Sequence, residues 1–370
     1  MPVAAAPTGN RQPATGNSKR ALQLLARAGT RSVFDGYVTS PIVQERVTTA
    51  LQSVSPTHLE DFGECPQKFF FKHILGVRDI DDPEHQVQIN HRDKGTLDHR
   101  ILERFYRSLP IGDIELARPD LPRLSETLRG RLESLVDEAF DELEQRAPAH
   151  NRAMRAIERR ATKRILRDFV AADLTDLLTH HLTPSFFEYR FGRKHEKADH
   201  AEPFIVDIHG IPLKVEGTID RIDRSDGRLR IVDYKSGKAL RHVELSEKID
   251  RGVRLQLALY AMAAAEFFNV DPADVSGAIK PLVIADSDPD KFSFLLGEKK
   301  DLLRETLEIF VDAIRRGAFP AFPNEGEKPK DFNSCKYCPV NHSCRTKHDP
   351  EERRAILAAG EPRSLLQQAP

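Results

Sequence analysis

No stretch of this 370-residue chain approaches the about 20 consecutive apolar residues that span a bilayer. Its start, Met1-Pro2-Val3-Ala4-Ala5-Ala6-Pro7-Thr8-Gly9, lacks the charged, then greasy, then small-residue order of a secretory signal. A cytoplasmic protein is the expectation. Excess charge of either sign is absent too, because Lys plus Arg total 56 against 57 for Asp plus Glu. A polycation that holds nucleic acid without structure is thereby excluded, and any nucleic-acid site must be a local groove. Only four cysteines occur, too few for a disulfide-dense secreted fold and better suited to metal in a reducing compartment. No G-x-x-x-x-G-K-[ST] is present, since Ser236-Gly237-Lys238-Ala239 lacks both the first glycine and the hydroxyl, so the chain shows no ATP motor of its own.

With 39% hydrophobic residues, the chain is apolar enough to bury a core for one large domain or two ordinary ones. Residues 1–17 read as a disordered tail and 18–52 as a linker-like segment with no clear element. Ser55-Pro56-Thr57-His58-Leu59-Glu60 has the form of a helix start, and the helix is expected to run through Phe62, Cys65, Phe69, Phe70 and Ile74. Apolar spacing predicts further helices over 95–109, 124–144 and 153–178. The last carries Arg152, Arg155, Arg159, Arg160, Lys163, Arg164 and Arg167; such a run is more often a solvated helix face than a wall for DNA.

After Pro184 the texture changes to short alternating or apolar runs, predicting strands over 186–191, 203–208, 211–222 and 229–234. A helix over 254–268, strands over 278–284 and 291–296 and a helix over 299–316 follow. The order implies an α/β fold built on one mixed sheet.

Asp226-Gly227 between two β-type runs is a strong two-residue hairpin signal. With that turn, Asp220 faces Asp233 and Thr218 faces Lys235, so one face gathers two carboxylates and an ammonium. Opposed carboxylates repel unless a cation sits between them, and Mg²⁺ binds through a few such oxygens while retaining water. The set suits metal-assisted phosphodiester hydrolysis, with Lys235 placing or helping to deprotonate the attacking water. A surface hairpin with an exposed salt bridge is the plain alternative, and a three-residue turn would slip the register. The cysteines read C-x-x-C-x-x-x-x-x-C over Cys335, Cys338 and Cys344, with Cys65 remote. That spacing leaves zinc and an iron–sulfur cluster equally open.

Gly217-Thr218-Ile219-Asp220-Arg221-Ile222-Asp223, followed by Ile231-Val232-Asp233-Tyr234-Lys235, resembles the PD-(D/E)XK nuclease superfamily in its RecB/AddB-type branch. Two further motifs keep the branch's order: Gly95-Thr96-Leu97-Asp98-His99-Arg100-Ile101-Leu102-Glu103 resembles its G-x-x-x-H-x-x-L-E helix, and Gln256-Leu257-Ala258-Leu259-Tyr260 its Q-x-x-x-Y helix. The resemblance spans about residues 53–347, leaving 348–370 as a C-terminal tail. It implies a restriction-endonuclease-like core, a mixed central sheet flanked by helices with a helical insertion. It further implies Mg²⁺ or Mn²⁺ on His99, Asp220 and Asp233, with Lys235, Gln256 and Tyr260 completing the catalytic set. Glu188 fits an acidic position common in the branch, as a metal contact or as a core-edge carboxylate. Cys65-Pro66-Gln67-Lys68-Phe69-Phe70 and the later three cysteines resemble the branch's [4Fe–4S] ligands, which tie the two ends of the domain.

What the resemblance implies for function is a deoxyribonuclease, an exonuclease with single-strand preference, working in DNA end processing, recombination or repair. DNA is the implied partner, and a helicase a further one, because Phe34-Asp35-Gly36 faintly resembles the segment that joins such nucleases to helicase-like parts. A scaffold that keeps the cluster and the groove without cleavage is the reading from another class.

Overall fold

The computed structural model describes residues 36, 38, 40–51, 54–78, 89, 91–109, 125–146, 151–192, 198–236, 244–283, 289–321, 335, 338–340 and 344. The tail expected over 1–17, residues 348–370, Phe34-Asp35 and Gly237-Lys238-Ala239 lie outside them. The described chain forms two units, one from residues 52–60 and 79–307, the other from 1–51, 61–78 and 308–370. Among the described residues no helix is long and apolar enough to cross a membrane.

The larger unit is a mixed α/β layer. Its five-stranded sheet has the order β1 (Thr183–Phe191), β4 (Gly217–Ser225), β5 (Arg228–Lys235), β6 (Val275–Pro281) and β7 (Ser293–Leu295). All neighbours are antiparallel except β5 and β6, which run parallel. The strand expected over 211–222 divides in two. Ile211–Val215 (β3) pairs with Phe204–Ile208 (β2) in a separate two-stranded sheet, and β4 begins only at Gly217, so the single expected sheet becomes two. At the Asp226-Gly227 turn Gly227 has φ 78°, a left-handed conformation that glycine adopts without steric cost.

Three long helices, His91–Arg107, Glu126–Arg146 and Arg152–Thr179, form the helical layer. Their apolar stripes, among them Leu97, Ile101, Phe105, Val136, Phe140 and Leu166, close a core with Phe187, Val232, Tyr234 and Leu282 of the sheet region. Two cations of the arginine-rich helix 152–179 pair with the neighbouring helix. Arg159 pairs with Asp137 and Asp141, and Lys163 lies 2.6 Å from Asp137. Gln256–Phe267, largely alanine and leucine, packs on β5 and β6.

In the smaller unit Pro41–Leu51 is helical, within the segment expected to be linker-like. The helix expected to run from 55 to 74 breaks. Pro56–Glu64 ends before Cys65, which is extended (φ −168°, ψ 117°) because the Pro66 ring disfavours helical backbone at the residue before it. A short turn Pro66–Phe69 then passes into a π-helical turn, Phe70–Ile74. Phe62, Phe69, Phe70, Phe310 and Phe319 form an aromatic core, with Phe62 and Phe310 5.0 Å and Phe70 and Phe319 4.9 Å apart. Buried Asp61 holds Lys68 (2.8 Å), Lys72 (2.7 Å) and His73 (2.7 Å), and these partners depress its carboxyl below the usual range despite the opposing cost of burial.

Candidate active site

The β4/β5 hairpin has the register that its turn implies, from Ser225↔Arg228 to Arg221↔Val232. Regular pairing stops there, one step short of Asp220 and Asp233. The main-chain groups of Tyr234 find other partners: its N–H donates to Asp220 Oδ2 at 2.8 Å, and its carbonyl lies 3.1 Å from His99 Nε2. The sheet therefore opens into a fork whose freed backbone groups are satisfied by side chains. His99 reaches the fork from the helix 91–107, and its Nδ1 stands 3.4 Å from Asp220 Oδ1.

Glu188 joins them from β1. It lies between Phe187, which pairs with Arg221, and Tyr189, which pairs with Ile219, and so sits level with Asp220. Its φ of 47° is left-handed backbone, strained for a glutamate within a strand. One ligand atom each from His99, Glu188 and Asp220 lie within 4.8 Å of one another. Two carboxylates and an imidazole are a donor set that suits Mg²⁺ or, with its nitrogen, Mn²⁺.

The electrostatics fit a site short of positive charge. Burial and the neighbouring charge of Asp220 push the Glu188 carboxyl up to about 7. Burial alone would lower His99, but its hydrogen bond to Asp220 and the charges of Asp220 and Glu188 outweigh it and raise the imidazolium to about 9. Asp233 is likewise raised, by burial and by Asp220, against the pull of Lys235. It does not join the three-residue group. Its oxygens lie 3.0 Å and 2.8 Å from Lys235 Nζ, and the 44% exposure of the Lys235 side chain leaves the ammonium within reach of solvent.

Gln256 and Tyr260 stand behind the site. The Tyr260 hydroxyl bonds to the Gln256 side chain and to the backbone at Thr218. A Cβ on Gly217 would fall on that hydroxyl, so a larger residue where β4 begins would force one of the two to shift. Tyr260 thus lies against the start of β4, with Gln256 beside it.

The sequence reading missed a buried ionic network next to these residues in the chain. Arg221, fully buried, lies 2.6 Å from Asp173 and 2.7 Å from Asp223 and donates to the Tyr234 hydroxyl at 2.8 Å. Arg230 and Lys280 extend the network to Asp176, each at 2.7 Å. The alternation of the strand was its only local signal, since Arg221 and Asp223 share a face opposite Asp220.

A sequence model described as the PD-(D/E)XK nuclease superfamily matches residues 53–345. The chain belongs to the PD-(D/E)XK nuclease superfamily. Its mixed sheet flanked by helices is the corresponding core, and the superfamily consists of nucleases that use divalent metals. No curated protein matches the chain.

The four cysteines belong to the smaller unit and are half-buried. The Cys344 thiol donates to Gln67 Oε1 at 3.3 Å, which brings Cys344 beside the turn that Cys65 opens. The Cys338 N–H donates to the Cys335 carbonyl at 3.3 Å. Among the described residues their thiols do not form a group of three within 4.8 Å of one another.

Proposed function

We propose that this PD-(D/E)XK nuclease is a RecB/AddB-type deoxyribonuclease that cuts single-stranded DNA ends in recombination or repair, with Mg²⁺ or Mn²⁺ at the active site. The convergence of His99, Glu188 and Asp220 beside the Asp233–Lys235 pair is the observation that supports it best. A divalent cation bound there supplies Lewis-acid polarisation of the scissile phosphate and acidifies a water. His99, Asp220 and Asp233 are the proposed ligands, with Glu188 added. Lys235 offers an ammonium at the exposed edge, where it orients the attacking water and offsets phosphate charge. Gln256 and Tyr260 hold β4 so that Asp220 keeps its place.

Cys65, Cys335, Cys338 and Cys344 are the proposed ligands of a structural [4Fe–4S] cluster. Ligation from Cys65 to Cys335 would close a loop of roughly 270 residues, and metal–thiolate bonds contribute to folding. Supporting this reading are the common unit and the Cys344–Gln67 contact. A helicase is the further proposed partner, on the faint resemblance of Phe34-Asp35-Gly36 to the segment that joins such nucleases to helicase-like parts.

The test is incubation of the purified protein with end-labelled single-stranded DNA and Mn²⁺. The intact protein is expected to cut, and Asp233→Ala and Lys235→Ala to lose about 10²-fold or more of the rate, as when a charge-stabilising donor is removed. Lys235→Ala should still bind Mn²⁺, read by electron paramagnetic resonance. Binding of DNA without cleavage by the intact protein would leave only a scaffold.

A further inference from the structure

The helix Gln256–Phe267 starts badly by its own sequence. The residue before its first turn is Leu255, whose side chain cannot accept a hydrogen bond, and the backbone donors at a helix start need acceptors. The acceptor comes from far away in the chain. Glu60 Oε1 receives the N–H of Leu255 and the N–H of Gln256, both at 2.8 Å, although 195 residues separate Glu60 from Leu255. Its other oxygen lies 3.5 Å from Arg254 Nη1, and its charge reaches Lys235 as well, where it favours the ammonium. Glu60 is only 8% exposed, so this is a buried carboxylate placed at the positive end of a helix, where the macrodipole favours it.

From that point a continuous chain of contacts leads to the candidate metal ligands. Glu60 fixes the amide of Gln256, the Gln256 side chain bonds to Tyr260, and Tyr260 bonds to the backbone at Thr218, two residues before Asp220. The tyrosine hydroxyl fills the space that a Cβ on Gly217 would take, so it lies close against the strand. We propose that Glu60 is a positioning residue for the active site: it seats the first turn of the helix 256–267 and, through Gln256 and Tyr260, holds β4 at Asp220. The inference rests on the nuclease reading above but concerns a residue which that reading does not use. It also explains why a carboxylate is buried here, since an apolar side chain would leave two amide donors without acceptors.

Two substitutions separate positioning from plain structure. Glu60→Ala removes the acceptor, whereas Glu60→Gln keeps an oxygen for the two amides. In the full-length protein with Mn²⁺ and labelled single-stranded DNA, Glu60→Ala is expected to lower kcat about tenfold to a hundredfold, the scale at which a displaced reacting group loses rate. KM for DNA and the half-saturating Mn²⁺ concentration should stay within about twofold, and Glu60→Gln should recover most of kcat. Amide hydrogen exchange supplies a readout independent of cutting. In Glu60→Ala, exchange at Leu255, Gln256 and Thr218 should quicken at least about tenfold, with Val232 and Leu166 unchanged, and Glu60→Gln should restore protection. Were the intact protein not to cut, the nuclease reading would fail, while exchange would still decide whether Glu60 seats the helix and the strand. Unchanged exchange at Thr218 in Glu60→Ala overturns the proposal, as does a cutting protein whose kcat is indifferent to Glu60→Ala, or a loss spread evenly over kcat, KM and global stability.

Discussion

Glu188 carries two costs at once: a left-handed backbone inside a strand and a carboxyl pushed up to about 7 by burial and by Asp220. Strain of that kind amounts to about 1–3 kcal/mol, and it persists only where the surroundings fix it. A carboxyl whose value rises from 4.5 to about 7 on folding binds more protons in the folded state within that interval. Stability therefore falls as pH climbs through the window, and the loss is complete above it. Glu188→Gln removes the charge and keeps the shape. In metal-free protein at pH 8 it is expected to gain about 1 kcal/mol in urea unfolding relative to the wild type, with the gain vanishing near pH 4. The same variant should raise the half-saturating Mn²⁺ concentration about tenfold, an exchange of binding for stability that is common at functional sites. A Glu188→Gln protein no more stable than the wild type at pH 8 would show that the carboxylate is not under electrostatic stress.

The hairpin β4/β5 is the element on which the site depends, and it was legible because its determinants are local. Asp226-Gly227 fixes the turn and the turn fixes the register from Ser225 back to Arg221, whereas the expected facing of Asp220 with Asp233 and of Thr218 with Lys235 lies beyond the regular pairing. What the sequence left open is decided by non-local pairings: Glu188 was expected as either a metal contact or a core-edge carboxylate, and the Asp173 partner of Arg221 was not foreseen. Glu188 meets Asp220 because β1 docks on β4, and Asp173 meets Arg221 because a helix ending before β1 packs on the sheet. Nothing in a single strand's alternation announces either partner. The fork was also illegible, since the regular ladder ends where two side chains, rather than the opposite strand, take the Tyr234 backbone. Two substitutions test how the element is held. Gly217→Ala places a methyl against the Tyr260 hydroxyl and should cost about 1–3 kcal/mol, as overpacking does. Asp173→Asn leaves the buried Arg221 with Asp223 as its remaining charged partner and should cost about 3–5 kcal/mol. Both are read by urea unfolding followed by far-ultraviolet circular dichroism. A cost under about 0.5 kcal/mol in Asp173→Asn would mean that the network does not hold the hairpin.

At the scale of the whole molecule, the two units have unequal means of staying folded. The unit with the sheet closes its core over three long helices and five strands. In the other unit, the described core gathers around five phenylalanines, and small cores are commonly supplemented by metal or covalent links. The proposed cluster would serve that purpose, because thiolate ligation joins Cys65 to residues that follow it by about 270 positions. Loss of one ligand should then act on one unit first. Cys344→Ser, which removes a proposed ligand and the thiol that bonds to Gln67, is expected to abolish bound iron and the brown colour of the protein. Its thermal unfolding should split into two transitions, the earlier one lowered and the later one unmoved, a departure from two-state behaviour natural to a two-unit chain. Hydrogen exchange assigns the transitions: amides near Phe62, Phe69 and Phe310 should lose protection in Cys344→Ser while those of Val232, Leu166 and Val136 keep it. Iron content unchanged by the substitution would remove Cys344 from the ligand set, and protection lost equally in both units would show that the thiolates stabilise the chain as one cooperative body.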